Sequence, residues 1–376
     1  MNMTLTSKSF SAPENLSGPS DLVASLPGVL GFYPQESLII LGLTEAEAPN
    51  CVTLGPVMRA DLTHAAQLCD ALHRMPVDDC VAFYAVIVSR IPDSELVKAA
   101  VASLYDATHD CGCPMISACW HVSEIASGTP YNIVFGPGPS PLTGEPLGAH
   151  WVSGTVSSVI ASPAMKNLLD NGALPQLSRE DTYRYFDPLP SGDEAEEDNR
   201  DALAKLATRR GSELLERLSR GDRAAHTAAA EACLVLHSPP PRPLISPWEE
   251  LSAAELEKLL GEEDDRLTLA TMLSRSALRD RLIGEALETP LTAAHAVLCA
   301  AKLFPGTIRA NALSVWAIIA LDRGLTSWAV AALCTAQDEL PGHSLSELVL
   351  CLVRAGQQDK LLQAVRAGVL DVGDAA

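Results

Sequence analysis

Basic side chains are scarce in this chain. Lys and Arg number 27 against 47 Asp and Glu, a net charge of −20, and the imbalance holds on both sides of Asp187. An acidic surface repels phosphate backbones and anionic lipid headgroups, so neither nucleic acid nor a membrane surface is an expected partner. The Arg209-Arg210 pair is too short to reverse that field. Long apolar runs are missing too. The longest candidate, 317–336, is broken by Asp322 and Arg323, whereas a membrane-spanning helix needs about 18 or more apolar residues in succession. The first twenty residues are polar, rich in Ser, and lack the apolar segment of a secretory leader. A soluble, cytoplasmic protein is the expectation.

The familiar catalytic signatures are absent as well. There is no nucleophile elbow, phosphate-binding Gly loop, dinucleotide fingerprint or His-Glu-x-x-His, and nothing implies a cofactor. "FGPGPSP" holds glycines, but its prolines remove the backbone N–H groups a phosphate cradle requires. The ten cysteines are scattered, several of them (Cys299, Cys334, Cys351) in apolar-periodic segments. That pattern suits buried thiols better than a disulfide framework.

What the chain does contain is enough apolar sequence for two cores. It has 376 residues, 47% of them hydrophobic, which suggests two domains. Residues 1–19 read as a flexible tail. In "DLVASLPGVLGFYPQESLIILGL", Leu22, Leu26, Val29 and Leu30 recur at helical spacing, and Leu38–Leu43 is an apolar run of strand length. Gly31 is free to cap the helix and Pro34 prevents its continuation. Strands follow at 38–43 and 51–58, joined by "TEAEAPN", then a helix at 61–75 and a buried strand in "CVAFYAVIVSRI". Asp93 and Ser94 offer caps for a helix to His109. Strands are expected at 115–122 and 131–135, a surface loop in "GPGPSPLTGEPLG", and helices over 151–172 and 178–186. This alternation predicts an α/β domain over 20–187 with a mixed sheet, because the early hairpin is antiparallel.

"DPLPSGDEAEED" reads as the boundary, with an acidic linker at 188–198 and a helical domain over 199–376, interrupted by the extended "HSPPPRPLISPWEE". One unit there fits the tetratricopeptide pattern: Leu313, Trp316, Ala317 and Ala320, then Ala329, Leu333, Ala336 and Pro341. Neighbours at 291–305 and 343–356 share its helix length. An all-α array of tetratricopeptide-like hairpins within 291–368 is therefore expected, because an isolated pair cannot bury its own face.

The opening also resembles an actinobacterial family, domain of unknown function 4192. The resemblance rests on Asp21, Leu22, Pro27, Leu30, Gly31, Phe32, Pro34, Ser37 and Leu38, then Arg59, Asp61 and Leu62. "LATMLSRSALRDRLIGEAL" and "LPGHSLSELVLCLVRAG" are similar to its helical half. The paired cysteines associated with many members, after the strand holding Trp120, are missing here, which removes any metal reading based on them. The resemblance implies domain boundaries and no activity.

Two clusters could carry chemistry. If Leu43 pairs with Val52, Glu36 falls opposite Arg59, with Ser37 and Asp61 beside them. In one reading Arg59 meets an anionic metabolite while Ser37 donates a hydrogen bond. In the other, Glu36 and Asp61 neutralise Arg59 and lock the corner, and two flanking acids favour this one. The second cluster is Cys111, Cys113, Cys119 and His121, near His109. Thiolate and imidazole suit Zn²⁺, but Cys-x-Cys is not the usual structural-zinc spacing, and no metal is assigned. Without a catalytic constellation, the leading expectation is a non-enzymatic interaction protein whose helical array holds a protein partner. The alternative is a small-molecule site or enzyme at the end of the sheet.

Overall fold

The computed structural model describes residues 4–7, 18–45, 52–73, 80–109, 111–136, 148–190, 194–237 and 263–373. The chain divides into two compact units. One comprises Met1–Asp170, Leu174–Arg179 and Val353–Gly356; the other Asn171–Ala173, Glu180–Leu352 and Gln357–Ala376. Most of the loop expected at 136–148 and of the proline-rich stretch at 237–250 lies outside the described residues.

The first unit is the expected α/β fold. Helix α1 (Pro19–Leu30) opens on a proline and ends at Gly31, whose φ of 77° lets its N–H reach the Pro27 carbonyl at 2.8 Å. Strands β1 (Thr4–Ser7), β2 (Ser37–Glu45), β3 (Val52–Asp61), β4 (Cys80–Val88), β5 (Ile116–Val122), β6 (Pro130–Phe135) and β7 (Ser153–Thr155) form one sheet. Its order is β1-β3-β2-β4-β5-β6-β7. Among the described strands only β4 and β5 are parallel, and α3 (Glu95–Asp106) connects them. Ser94 caps α3, accepting the Val97 N–H at 3.2 Å. Helix α2 (Ala65–Leu72) follows β3, and both helices pack on one sheet face through Leu68, Leu72, Val97, Ala100 and Leu104.

Three expectations need correction. Thr4–Ser7 lies in the stretch read as a loose tail, yet pairs with β3. Trp151–Gly172 is not one helix: β7 occupies part of it, and only α4 (Pro163–Asp170) is helical there. Thr155 and Val156 favour extended backbone, and Pro163 begins the helix. Helix α1 meets α4 at Gly28, where an added Cβ would lie 2.5 Å from the Ala164 carbonyl carbon. The third correction is the hairpin register. Arg59 pairs with Ile39 and Asp61 with Ser37, while Glu45 pairs with Val52. β2 runs two residues beyond Leu43, and an irregularity between Leu41 and Leu43 shifts the pairing by one more.

The second unit is helical. After α5 (Arg179–Arg184), α6 (Glu194–Ser219) starts inside the segment read as an acidic linker. Helices α7 (Arg223–Cys233), α8 (Glu263–Leu273), α9 (Ser276–Glu288), α10 (Pro290–Leu303), α11 (Gly306–Asp322), α12 (Thr326–Glu339), α13 (Ser344–Arg354) and α14 (Gln358–Gly373) follow. The hairpin expected from residue spacing is α11–α12, turning at Gly324 (φ 71°). Leu313, Trp316, Ala317, Ala320, Ala329, Leu333 and Ala336 are all fully buried in it.

The residues just before the acidic stretch belong to this core. Phe186 is fully buried, edge-on to Trp316 at 4.8 Å, with Tyr185 edge-on to Trp328 at 5.2 Å. Arg309 donates to the Phe186 carbonyl at 2.7 Å, and Lys302 donates to the Asp187 carbonyl at 3.1 Å. The Leu189 N–H is held by the Lys302 carbonyl. The short segment that leaves α5 through a turn is thus bound to the helices as a peptide would be. Nearby, the Asn311 amide oxygen accepts from Arg279 at 2.7 Å and from His343 at 2.9 Å. The other His343 ring nitrogen faces the Ser346 hydroxyl at 2.9 Å. Among the described residues no helix is long and apolar enough to cross a membrane.

Candidate functional site

Residues 31–37 turn the chain from α1 into β2. The turn is clamped from outside: Tyr33 N–H donates to the Gln176 carbonyl and Gln176 N–H to the Gly31 carbonyl, both at 2.9 Å. Its last residue before the strand, Glu36, has φ +38°, the one positive value outside glycine among the described residues. Such backbone costs an L-residue on the order of 1 kcal/mol, so its surroundings must hold it there. They do. The Glu36 carbonyl accepts the Leu62 N–H at 2.9 Å. Its carboxylate accepts the Ser89 hydroxyl at 2.8 Å and the Arg90 N–H at 3.1 Å. Ser89, fully buried just past β4, also receives the Ile91 N–H at 3.2 Å.

Arg59 lies apart from Glu36. It is 5% exposed, its Nε donating to Ser37 Oγ at 3.0 Å and its Nη2 pairing with Asp61 at 2.6 Å. Its guanidinium carbon sits 5.7 Å from the Phe32 ring centre. Ser37, fully buried, donates its hydroxyl hydrogen bond to the Gln35 carbonyl at 2.5 Å. The structure therefore joins Ser37, Arg59 and Asp61 and assigns Glu36 to other partners. The physical reason is the register, which sets Ser37 and Asp61 directly opposite one another. Arg59 is buried, and these contacts fall within the corner itself.

A cleft of about 570 Å³ opens beside this corner. Tyr33, Gln35 and Glu36 line it from the turn, and Arg90 and Glu124 from beyond the ends of β4 and β5. The Arg90 guanidinium and Glu124 carboxylate are 3.6 Å apart and both well exposed. Ile160 (66% exposed) and Leu177 (76%) supply an apolar wall. The cleft thus lies at the carboxyl ends of the parallel pair β4 and β5, the crevice where open α/β sheets hold ligands. Polar groups on one side and large aliphatic chains on another suit a ligand with a polar head and an apolar body.

Sequence reasoning reached the turn but not Ser89, Arg90 or Glu124. Each lies within two residues of the end of a strand of the parallel pair.

The cysteine cluster does not assemble as a whole. Cys119 is buried in the core beneath α2 and α3, and burial pushes its thiol far above the ordinary range. His121 donates from Nε2 to the Ser89 carbonyl at 2.9 Å. Cys111 and Cys113 sit together in the exposed turn before β5. No group of three or more His, Cys, Asp or Glu placed to hold a metal occurs among the described residues.

The sequence profile of the family described as Domain of unknown function (DUF4192) matches residues 19–360. Neither the curated proteins nor the solved structures show a significant match to the chain.

Proposed function

The chain belongs to the DUF4192 family, and we propose that its α/β unit binds a small organic molecule in the cleft beside Glu36. The carrying observation is Glu36 itself, held with positive φ where its carboxylate meets Ser89 and Arg90 at the cleft wall. A carboxylate has about four lone-pair sites, and two donors leave room for a hydroxyl or ammonium group of a ligand. The volume falls within the range of roughly 300–1,000 Å³ that ligand pockets occupy. Ile160 and Leu177 would cover the ligand's apolar part.

The test is a melting-temperature screen of the full chain against metabolites that combine an apolar body with a hydroxyl or amine. A ligand that binds only the folded state raises the melting temperature with concentration. Ile160→Asp with Leu177→Asp is expected to abolish the shift. Both side chains are exposed, so the unliganded melting temperature stays close to that of the parent. A panel with no positive shift, or one unaffected by the double change, overturns the reading.

A second reading, a protein partner held by the helical unit, draws support from its stacked helical hairpins. It draws less from the surface formed by Arg309, Lys302, Trp316 and Trp328. There the chain's own residues 185–189 take the main-chain hydrogen bonds and aromatic contacts that a peptide would use. Any partner would need another face.

A further inference from the structure

The turn before β5 contains Cys111-Gly112-Cys113, which the cleft does not use. The His109 N–H donates to the Cys113 carbonyl at 2.8 Å, and the Gly112 N–H to the His109 carbonyl at 2.7 Å. Gly112 supplies the left-handed conformation this requires, with φ +79°. A Cβ there would meet no atom within 4 Å, so the space beside Gly112 is open. Both thiols are exposed, and they lie within hydrogen-bonding reach of each other. The Cys111 thiol beside it holds the Cys113 thiol above its ordinary range, because a thiolate there would lose the shared proton. The other described cysteines lack this arrangement: Cys69, Cys119, Cys233 and Cys299 are buried, Cys80 and Cys334 half-buried, and Cys351 is exposed on α13.

We propose that Cys111 and Cys113 form a dithiol–disulfide exchange site that reduces low-molecular-weight disulfides. The first cysteine, as thiolate, attacks one sulfur of the small disulfide. The S–S bond breaks, a mixed disulfide forms, and one small thiol departs with a proton. The second cysteine then attacks the protein sulfur of that mixed disulfide, and the second small thiol leaves with its proton. Two protein thiols are oxidised to one disulfide, and one small disulfide is reduced to two thiols. A bridge spanning so few residues constrains the unfolded chain little, which suits reversible exchange better than structural stapling. Only Gly112 separates the two cysteines and their thiols lie within reach of each other, so the second attack is intramolecular and outpaces capture of another small thiol.

The experiment incubates the full chain with excess oxidised glutathione, alkylates free thiols, and weighs the peptide carrying Cys111 and Cys113. The expected product is that peptide lighter by two hydrogens, unalkylated, and restored by reductant. Cys351 serves as the internal control, acquiring one glutathione and no internal bond. Cys111→Ser and Cys113→Ser should each trap glutathione on the remaining cysteine. Gly112→Val, which disfavours the left-handed turn, should accumulate the mixed disulfide before any internal bond. A parent protein that keeps glutathione on either cysteine, or remains fully alkylatable at both, overturns the proposal.

Discussion

Ser89 donates its hydroxyl hydrogen to the Glu36 carboxylate at 2.8 Å, tying the end of a central strand to the turn that precedes another. The pair is 53 residues apart in sequence. It keeps a side chain of unfavourable backbone geometry in one orientation at the wall of the cleft, so the carboxylate is ordered before any ligand arrives. Such ordering reduces what binding costs in lost side-chain freedom.

Arg59→Ala should lower the stability of the α/β unit by about 2–3 kcal/mol, the range for losing hydrogen bonds to a charged group. The half-exposed Asp61 limits the ion-pair share of that loss. Arg59→Lys keeps the charge but loses the planar fork, and should fall between the two. Urea midpoints report the order. Unchanged midpoints together with lost ligand binding would instead make Arg59 a recognition group.

Gly28→Ala and Gly368→Ala should move stability in opposite directions. At Gly28 the added methyl meets the α4 backbone at 2.5–2.7 Å, which cannot yield as a side chain would. A loss of about 1–3 kcal/mol is expected from this overpacking. At Gly368, within α14, nothing lies in the way, and the gain in helix propensity is about 0.5–1 kcal/mol. Thermal melts of the two variants against the parent check both signs.

His343 gives the helical unit a pH dependence of definite sign. Burial first, and the Arg279 charge second, hold its imidazole below the ordinary 6.5. The unfolded chain therefore takes up this proton at a higher pH than the folded one. The stabilising contribution is complete above about pH 6.5 and declines as pH falls from there towards the lowered folded value. His343→Gln should flatten that part of the decline. Urea midpoints of parent and variant, measured on either side of pH 6.5, give the difference.

Phe186→Ala should destabilise the helical unit by about 3–5 kcal/mol, the cost of emptying a large aromatic site. It removes ring contacts to Tyr185, Trp316 and Trp328. Increased binding of an apolar dye and faster proteolysis near residues 185–190 are the expected signs. A variant as stable as the parent would mean the segment contributes nothing to the helical core.

Local signals made much of this legible. Gly31 and Pro34 ended α1 where spacing expected, and Ser94 capped α3, because each acts on its own neighbours. The alternation of strands and helices gave the mixed sheet. The hairpin register was not legible, because it depends on how far β2 extends and on the irregularity near Gly42, neither of which the apolar pattern encodes. Trp151–Gly172 misled because its apolar residues satisfy helical spacing while β-branched residues and Gly154 favour extended backbone. At the cleft, Glu36 was reached because the expected hairpin register set it opposite Arg59, whereas the structure pairs Arg59 with Ile39. Ser89 and Arg90 reach the cleft because β4 pairs with β2, and Glu124 through the α3 crossover, relations between distant segments that residue spacing does not carry.

The binding of residues 185–189 to the helices has a practical consequence for how the protein is cut. A truncation beginning at 199, the apparent start of the helical half, would strip Trp316 and Trp328 of Tyr185 and Phe186, and Arg309 of its carbonyl acceptor. Such a piece would present a raw aromatic surface, and whatever adhered to it would report on the missing strap and not on a natural partner. Recombinant versions of this half should start no later than Glu180.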